Sequence, residues 1–287
     1  MSYPTLRLHP RKEESVLRFH PWIFSGAIAS FSAPVEDGDL VSVVDSKGRP
    51  LGTGHFGGGS IAVRLLSFDA EEVIDRAFYK RRLEAALRLR LSCDLVRPVG
   101  SSDSPNTTYR LVHGEGDSLP GLIIDIYDRT AVVQAHSLGM HQARQTIAEV
   151  LWEVFAEAGD PVLPLEGIYY KSETTLPTRD MRELASDGFL IGHTEAAPIY
   201  ENGVRFTPDW LKGQKTGFFI DQRDNRALVA HYAKGRTVLN AFCYTGGFSI
   251  YALHAGAKRV DSLDSSAKAM YLTEQHVALN FGADCPR

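Results

Sequence analysis

Over the first 68 residues, short apolar runs alternate with turn residues. LVSVVD (Leu40 to Asp45) and IAVRLLSF (Ile61 to Phe68) are rich in branched side chains and bounded by DGD and SKGRP, which predicts an all-β segment. Between them, LGTGHFGGGS contains a formal GxGxxG at Gly52, Gly54 and Gly57. A dinucleotide fingerprint must open a helix, and another strand follows here, so a glycine-permissive hairpin is expected instead. Ala70 to Ser92 has helical spacing, with Ile74, Phe78, Ala85 and Leu89 on one stripe and Lys80, Arg81, Arg82, Arg88 and Arg90 around it. The polar stretch RPVGSSDSPNTT (Arg97 to Thr108) marks a connector. Strand patterns then flank a helix from about Gly139 to Ala158, and GIYYKSET and PIYENGVRF each read as one strand. From Gly213 onward the pattern alternates. DQRDNRALVAHY, GGFSIYALHAG and SSAKAMYLTEQHVALNFG are helical, and TVLNAF and RVDSLD are strands. Such alternation predicts a parallel, doubly wound sheet. The expected segments are 1–68, a linker helix and connector at 69–108, a small α/β unit at 109–200, and an α/β unit at 201–287.

Charge refines this division. The net charge is −4, too small to grip nucleic acid as a whole. Residues 109–200 carry 6 basic against 14 acidic groups, whereas 201–287 carry 11 against 8. A phosphate-facing surface is therefore expected at the two ends of the chain. Three cysteines, Cys93, Cys243 and Cys285, are too few and too dispersed for a disulfide framework or a CxxC metal site, which favours a reducing cytoplasm. His136 and His141 lack a third metal ligand in view, and no apolar run is long enough to span a bilayer.

The chemistry concentrates at TVLNAFCYTGGFSIYALHAG, Thr237 to Gly256. Val238 and Leu239 suit a buried parallel strand. Gly246 and Gly247 permit a sharp turn, and the helix N-terminus after them favours a negatively charged group. Asp264 ends the next strand, where a carboxylate can accept both hydroxyls of a ribose. The turn lacks the spaced glycines that accommodate a pyrophosphate. It therefore suits S-adenosyl-L-methionine (SAM), which has a ribose and a carboxylate but no phosphate, better than NAD.

FSGAI after HPW, the GEGDSLPGLIID block, GQKTGFFIDQRDNR and VLNAFCYTGGFSIYAL closely resemble the ribosomal-RNA large-subunit methyltransferase I family, and the resemblance runs from about Leu6 to Asn280. It implies an α/β and α+β multidomain protein: an N-terminal PUA-like β-barrel, a small α/β middle domain, and part of a class I, Rossmann-like methyltransferase domain. It further implies SAM-dependent methylation of carbon 5 of a cytosine in 23S ribosomal RNA, with no metal and no membrane. Whether the chain works as a monomer or a homodimer stays open. Carried over by residue, the cofactor loop comprises Asn240, Phe242, Tyr244, Thr245, Gly246 and Gly247, with Asp264 as ribose acceptor. Phe218, Asp221, Gln222, Arg223 and Arg226 form the element that closes over the methionine end, although Arg223 and Arg226 read equally well as a solvated helix face. Arg7, Arg11, Lys12, Arg18 and Arg64 are the candidate RNA contacts.

Carbon 5 of cytosine becomes nucleophilic only after a thiolate adds to carbon 6, and the base must first leave its stack. None of the three cysteines is placed for that role. In the family, the catalytic cysteine and an Asp-Pro-Pro-type motif lie farther along the sheet, so the chain is expected to be a truncated form, with its catalytic residues beyond Arg287 and no turnover of its own. Alternatives are a guanine-modifying rRNA methyltransferase, a noncatalytic RNA-binding module, or a nucleotide-dependent oxidoreductase.

Overall fold

A computed structural model describes residues 3–177, 186–282 and 285. Contacts divide the chain into one unit of residues 1–93 and 110–194, and another of 94–109 and 195–287.

The first unit opens with strands β1 (Thr5–Leu8), β2 (Trp22–Phe24), β3 (Ile28–Phe31), β4 (Leu40–Val44), β5 (Pro50–Phe56) and β6 (Ile61–Ser67), plus a short helix α1 (Glu14–Leu17). They form one curled sheet in the order β2-β6-β5-β4-β1-β3, antiparallel except for β1 beside β4. Period-2 alternation sends Leu6, Leu8, Ile23, Val41, Val43, Val63 and Leu65 into a shared core. The glycine-rich stretch is indeed strand followed by strand. A Cβ on Gly54 would lie 2.2 Å from the Arg64 carbonyl oxygen on β6, and one on Gly52 2.3 Å from the Ser67 carbonyl oxygen, so Gly52 and Gly54 serve close strand approach rather than a dinucleotide.

The linker helix, α2 (Arg76–Ser92), begins at Asp75, whose side chain caps the Phe78 N–H. Its buried face is Phe78, Tyr79, Leu83, Ala86, Leu87 and Arg90, while Ala85 and Leu89 point outward. The expected stripe is thus rotated. The buried face follows the apolar residues Leu83, Ala86 and Leu87 and takes in Arg90, whose guanidinium is buried against Asp117 and the Arg110 carbonyl. The other basic residues of this helix are also paired: Lys80 with Glu153 and Glu157, Arg81 and Arg82 with Glu72, and Arg88 with Glu84. They form a structural seam, which leaves little free charge for RNA.

A second sheet, in the order β11-β10-β9-β8-β7, combines β7 (Thr108–His113), β8 (Leu122–Tyr127), β9 (Thr130–Ala135), β10 (Gly167–Tyr170) and β11 (Gly188–Gly192). Helices α3 (Leu138–Gln142) and α4 (Arg144–Ala158) make the crossover to the parallel β9–β10 pair.

In the second unit, PIYENGVRF forms two strands rather than one, β12 (Ile199–Glu201) and β13 (Val204–Phe206), paired antiparallel. Asn202 and Gly203 both take positive φ, 49° and 82°, as a two-residue hairpin requires. Helix α5 (Arg223–Ala233), strand β14 (Thr237–Ala241), helix α6 (Gly247–His254), strand β15 (Arg259–Leu263) and helix α7 (Ala267–Phe281) follow in the expected alternation. The β14–β15 pair is parallel. Leu239, expected to be buried, is 69% exposed, because among the described residues β14 pairs only with β15.

Replacing Gly54 with alanine should force β5 and β6 apart and cost about 1–3 kcal/mol, as for other overpacked sites. A lower urea midpoint with an unchanged slope would show it; an unchanged midpoint would contradict the close approach.

Candidate functional site

The turn between β14 and α6 is held in an uncommon backbone conformation. Phe242 and Tyr244 have φ of 58° and 48°, and Gly246 has 75°. Left-handed φ at two bulky residues in one turn is costly and persists only when surrounding contacts fix it. Those contacts are identifiable. Asp264, at the end of β15, accepts the Ser266 and Tyr244 N–H groups, one on each carboxylate oxygen, both at 2.9 Å. These two bonds hold its carboxyl below the usual carboxylate range. Each oxygen keeps a further lone pair for another donor.

Helix α7 secures the other side of the turn. His276 Nδ1 lies 2.8 Å from the Thr245 carbonyl, and the Thr207 N–H lies 3.0 Å from His276 Nε2. A carbonyl only accepts and an amide N–H only donates, so Nδ1 carries the proton and the ring is neutral. Burial depresses its pKa in agreement. A Cβ on Gly246 would fall 2.5 Å from Thr273 of the same helix. Gly246 is therefore required both for its φ and for this close packing.

Against the turn lies a cavity of about 270 Å³. Of the candidate residues it collects Phe218, Gln222, Arg226, Phe242, Tyr244, Thr245 and Gly247, and it adds Phe219, Cys243 and Phe248. Asp221, Arg223, Asn240, Gly246 and Asp264 are not among its lining residues. Asp221 is exposed and paired with Lys215 at 3.3 Å. Asn240 donates to Ser249 Oγ, tying β14 to α6.

Arg223 and Arg226 do not form a solvated face. Arg226 is only 2% exposed and makes a bidentate pair with the fully buried Glu201, Nε to Oε1 at 2.8 Å and Nη2 to Oε2 at 2.6 Å. Its guanidinium also lies 4.7 Å from the Phe218 ring centroid and donates to the Phe219 carbonyl. Arg223 donates to the Thr108 carbonyl and stands 3.6 Å from Glu201. Glu201 was invisible as a partner in sequence, 25 residues away, although the Asn-Gly pair beside it signals the hairpin that carries it.

Cys243 is buried, its thiol directed at the Tyr244 carbonyl and at Met270 Sδ. Burial raises its pKa, which opposes the thiolate. Cys93 is exposed at the end of α2. Among the described residues no group of three or more His, Cys, Asp and Glu is arranged to hold a metal ion, and no helix is long and apolar enough to cross a membrane.

Five basic residues of the first unit were RNA candidates. Arg7 donates to the Asp45 and Ser46 carbonyls, and Arg18 sits in an exposed 3.9 Å pair with Glu14. Arg11 and Lys12 are exposed. Arg64 is half-buried and lines two cavities.

Removing one side of the buried pair leaves the other charge uncompensated. Glu201→Gln should therefore destabilise the fold by about 3–5 kcal/mol, while Glu201→Leu combined with Arg226→Met and Arg223→Met should recover most of that loss. Denaturant titrations of the three proteins would check this. His276 gives a pH prediction. Its folded pKa is depressed, so below about pH 6.5 the unfolded chain takes up a proton that the folded chain does not, and stability falls as pH drops. His55, His136 and His141 act in the same direction. Urea midpoints measured from about pH 7.5 to about pH 5.5 should fall less steeply for His276→Gln than for the unaltered chain.

The sequence profile of a PUA-like domain matches residues 6–68, and that of an S-adenosylmethionine-dependent methyltransferase matches residues 178–285. Ribosomal RNA large subunit methyltransferase I of Shewanella amazonensis is 39% identical over 278 residues, covering 96% of this chain and 66% of that protein. Its counterpart in Shewanella denitrificans is 40% identical over 280 residues, with the same coverage. The chain thus spans about two thirds of the length of the curated relatives it matches. A Streptococcus mutans structure described as a SAM-dependent methyltransferase superposes with a TM-score of 0.78 at 23% identity, covering 98% of this chain and 68% of that one. Another, described as a methyltransferase complexed with SAH, gives 0.76 at 22%, covering 96% and 66%. At these identities the structural likeness speaks for the fold. The chain therefore joins a PUA-like domain to a Rossmann-like SAM-dependent methyltransferase fold and belongs to the ribosomal RNA large subunit methyltransferase I family.

Proposed function

We propose that the chain supplies the methyl-donor site and the RNA-holding unit for SAM-dependent methylation of carbon 5 of a cytosine in 23S ribosomal RNA. The observation that carries this reading is the strained turn Phe242–Gly247, which forms one wall of the cavity of about 270 Å³ while Asp264 buttresses its base. The residues present fit the donor. Asp264 keeps acceptor capacity for ribose hydroxyls. The Gly247 backbone faces the cavity without a side chain, where a Cβ would stand 3.1 Å from Arg226 Cδ. Phe218, Phe219 and Phe242 offer apolar surface to an adenosyl or thioether group. Bound SAM would provide an electrophilic methyl group.

In this reading Arg226 is a positioning residue. Its charge is absorbed by Glu201, and it holds Phe218 and the Phe219 carbonyl at the cavity edge. The thiolate that adds to carbon 6 is not Cys243, whose thiol is buried and pushed up in pKa. We therefore assign Cys243 to the wall of the donor cavity and not to the nucleophile.

Calorimetry with S-adenosylhomocysteine should show binding that Asp264→Ala weakens roughly tenfold or more, the scale of a lost hydrogen bond to a charged acceptor. Tight binding of NAD in its place would overturn the donor assignment. Cys243→Ser should leave S-adenosylhomocysteine binding within about threefold of the parent chain, and a covalent adduct between Cys243 and RNA carrying 5-fluorocytosine, read by gel shift, would refute its exclusion as the nucleophile.

A further inference from the structure

Strand β6 places Arg64 between two cross-strand neighbours. It lies directly opposite Trp22 on β2 and directly opposite His55 on β5. Residues directly opposite on paired strands project from the same face, so Trp22, Arg64 and His55 form one row. Val63 and Leu65, to either side of Arg64 in sequence, point the other way into the core. A cavity of about 320 Å³ opens beside His55 and Arg64, and another of about 270 Å³ beside Trp22 and Arg64. Arg64 is common to both.

Each member of the row is poised. The Trp22 ring is fixed by its Nε1–H, which donates to Glu115 Oε1 at 2.7 Å, and by edge contact with His20. His55 is 6% exposed and its Nδ1 has no hydrogen-bond partner among the described residues. Its ring lies so close to Gly139 that a Cβ there would fall 2.2 Å from it. Burial and the neighbouring Arg64 push its pKa down to about 4, so the imidazole is neutral and offers one donor and one acceptor. Among the described residues no carboxylate comes within ion-pair distance of the Arg64 guanidinium, in contrast to the arginines of α2.

The surroundings decide which ligand suits this row. Glu115 lines the Trp22 cavity and Asp37 lines the His55 cavity. A phosphate would meet a carboxylate on either side. A nucleobase would not, since its edge presents donors and acceptors together and its face stacks on an aromatic ring or a guanidinium. Neither cavity is lined by a lysine or a second arginine that could hold the phosphates of a free nucleotide, so the base is best supplied as part of a strand. We propose that the Trp22–Arg64–His55 row is a nucleobase pocket, in which an unpaired, unstacked base of the RNA substrate stacks on Trp22 and is read at its edge by Arg64, Glu115 and His55. The assignment rests on RNA being the acceptor. It also accounts for both carboxylates of the GEGDSLPG turn, since Glu115 fixes Trp22 while Asp117 anchors the turn to Arg90.

The test is a fluorescence-anisotropy titration of a short labelled single-stranded RNA carrying all four bases, using the full chain. Arg64→Gln and Arg64→Lys should both weaken binding roughly tenfold, because lysine keeps the charge but loses the planar fork. The salt dependence should stay unchanged, and the variants should keep the parent melting temperature. His55→Gln should weaken binding in the same way. Two results would overturn the proposal. One is unaltered affinity in all three variants. The other is near-parental affinity for Arg64→Lys together with a salt slope reduced by about one for Arg64→Gln, the mark of a phosphate contact. The assay needs neither SAM nor turnover. Failure of methyl transfer therefore leaves it readable, and absence of RNA binding by the parent chain would sink this pocket without touching donor binding.

Discussion

The buried pair between Arg226 and Glu201 is the constraint on which the second unit is built. A guanidinium and a carboxylate taken out of water are tolerable only when both are satisfied by well-aligned partners. Meeting that condition fixes several elements at once. Glu201 ends β12 of the hairpin, its backbone carbonyl accepts the Tyr251 hydroxyl from α6, and its carboxylate receives Arg226 from α5. Arg226 in turn holds the Phe219 carbonyl and faces the Phe218 ring. One wall of the cavity beside the Phe242–Gly247 turn thus follows from where one ion pair can form.

A second set of restraints acts on the opposite wall. Asp264 and His276 each satisfy backbone groups of the Phe242–Gly247 turn from separate elements, β15 and α7. Both side chains achieve this in a single protonation state, Asp264 ionised and His276 neutral. The strained φ values of Phe242 and Tyr244 are therefore maintained by fixed hydrogen bonds. A pre-shaped turn of this kind lowers the ordering cost of binding a small ligand.

The arginines illustrate how far composition carries. Residue type suggests a surface for RNA, and most of those among the described residues prove to be engaged. Those of α2 meet glutamates and Asp117, Arg7 meets carbonyls, and Arg223 and Arg226 meet Glu201. Arg64 differs because its partners across the strands are an aromatic ring and a neutral imidazole rather than a carboxylate. What separates it from the rest is register, and register is a property of the sheet.

Local pattern was enough to read the alternation of α5, β14, α6, β15 and α7, the strand-to-strand nature of the Gly52–Gly57 stretch, and the glycine turn between β14 and α6 with Asp264 just after β15. Each depends on contacts within a few residues or on a spacing that the chain enforces by itself. The sequence did not reveal the Asn202–Gly203 hairpin as such, although its turn signal was present, because the apolar residues around it also fit a single strand. It could not reveal the rotation of α2 toward Arg90, the burial of Arg226 on Glu201, the exposure of Leu239, or the row of Trp22, Arg64 and His55. Those depend on which distant segments pair. The free energy of burying a charge, a ring or a strand face is set by neighbours that only the folded chain brings together.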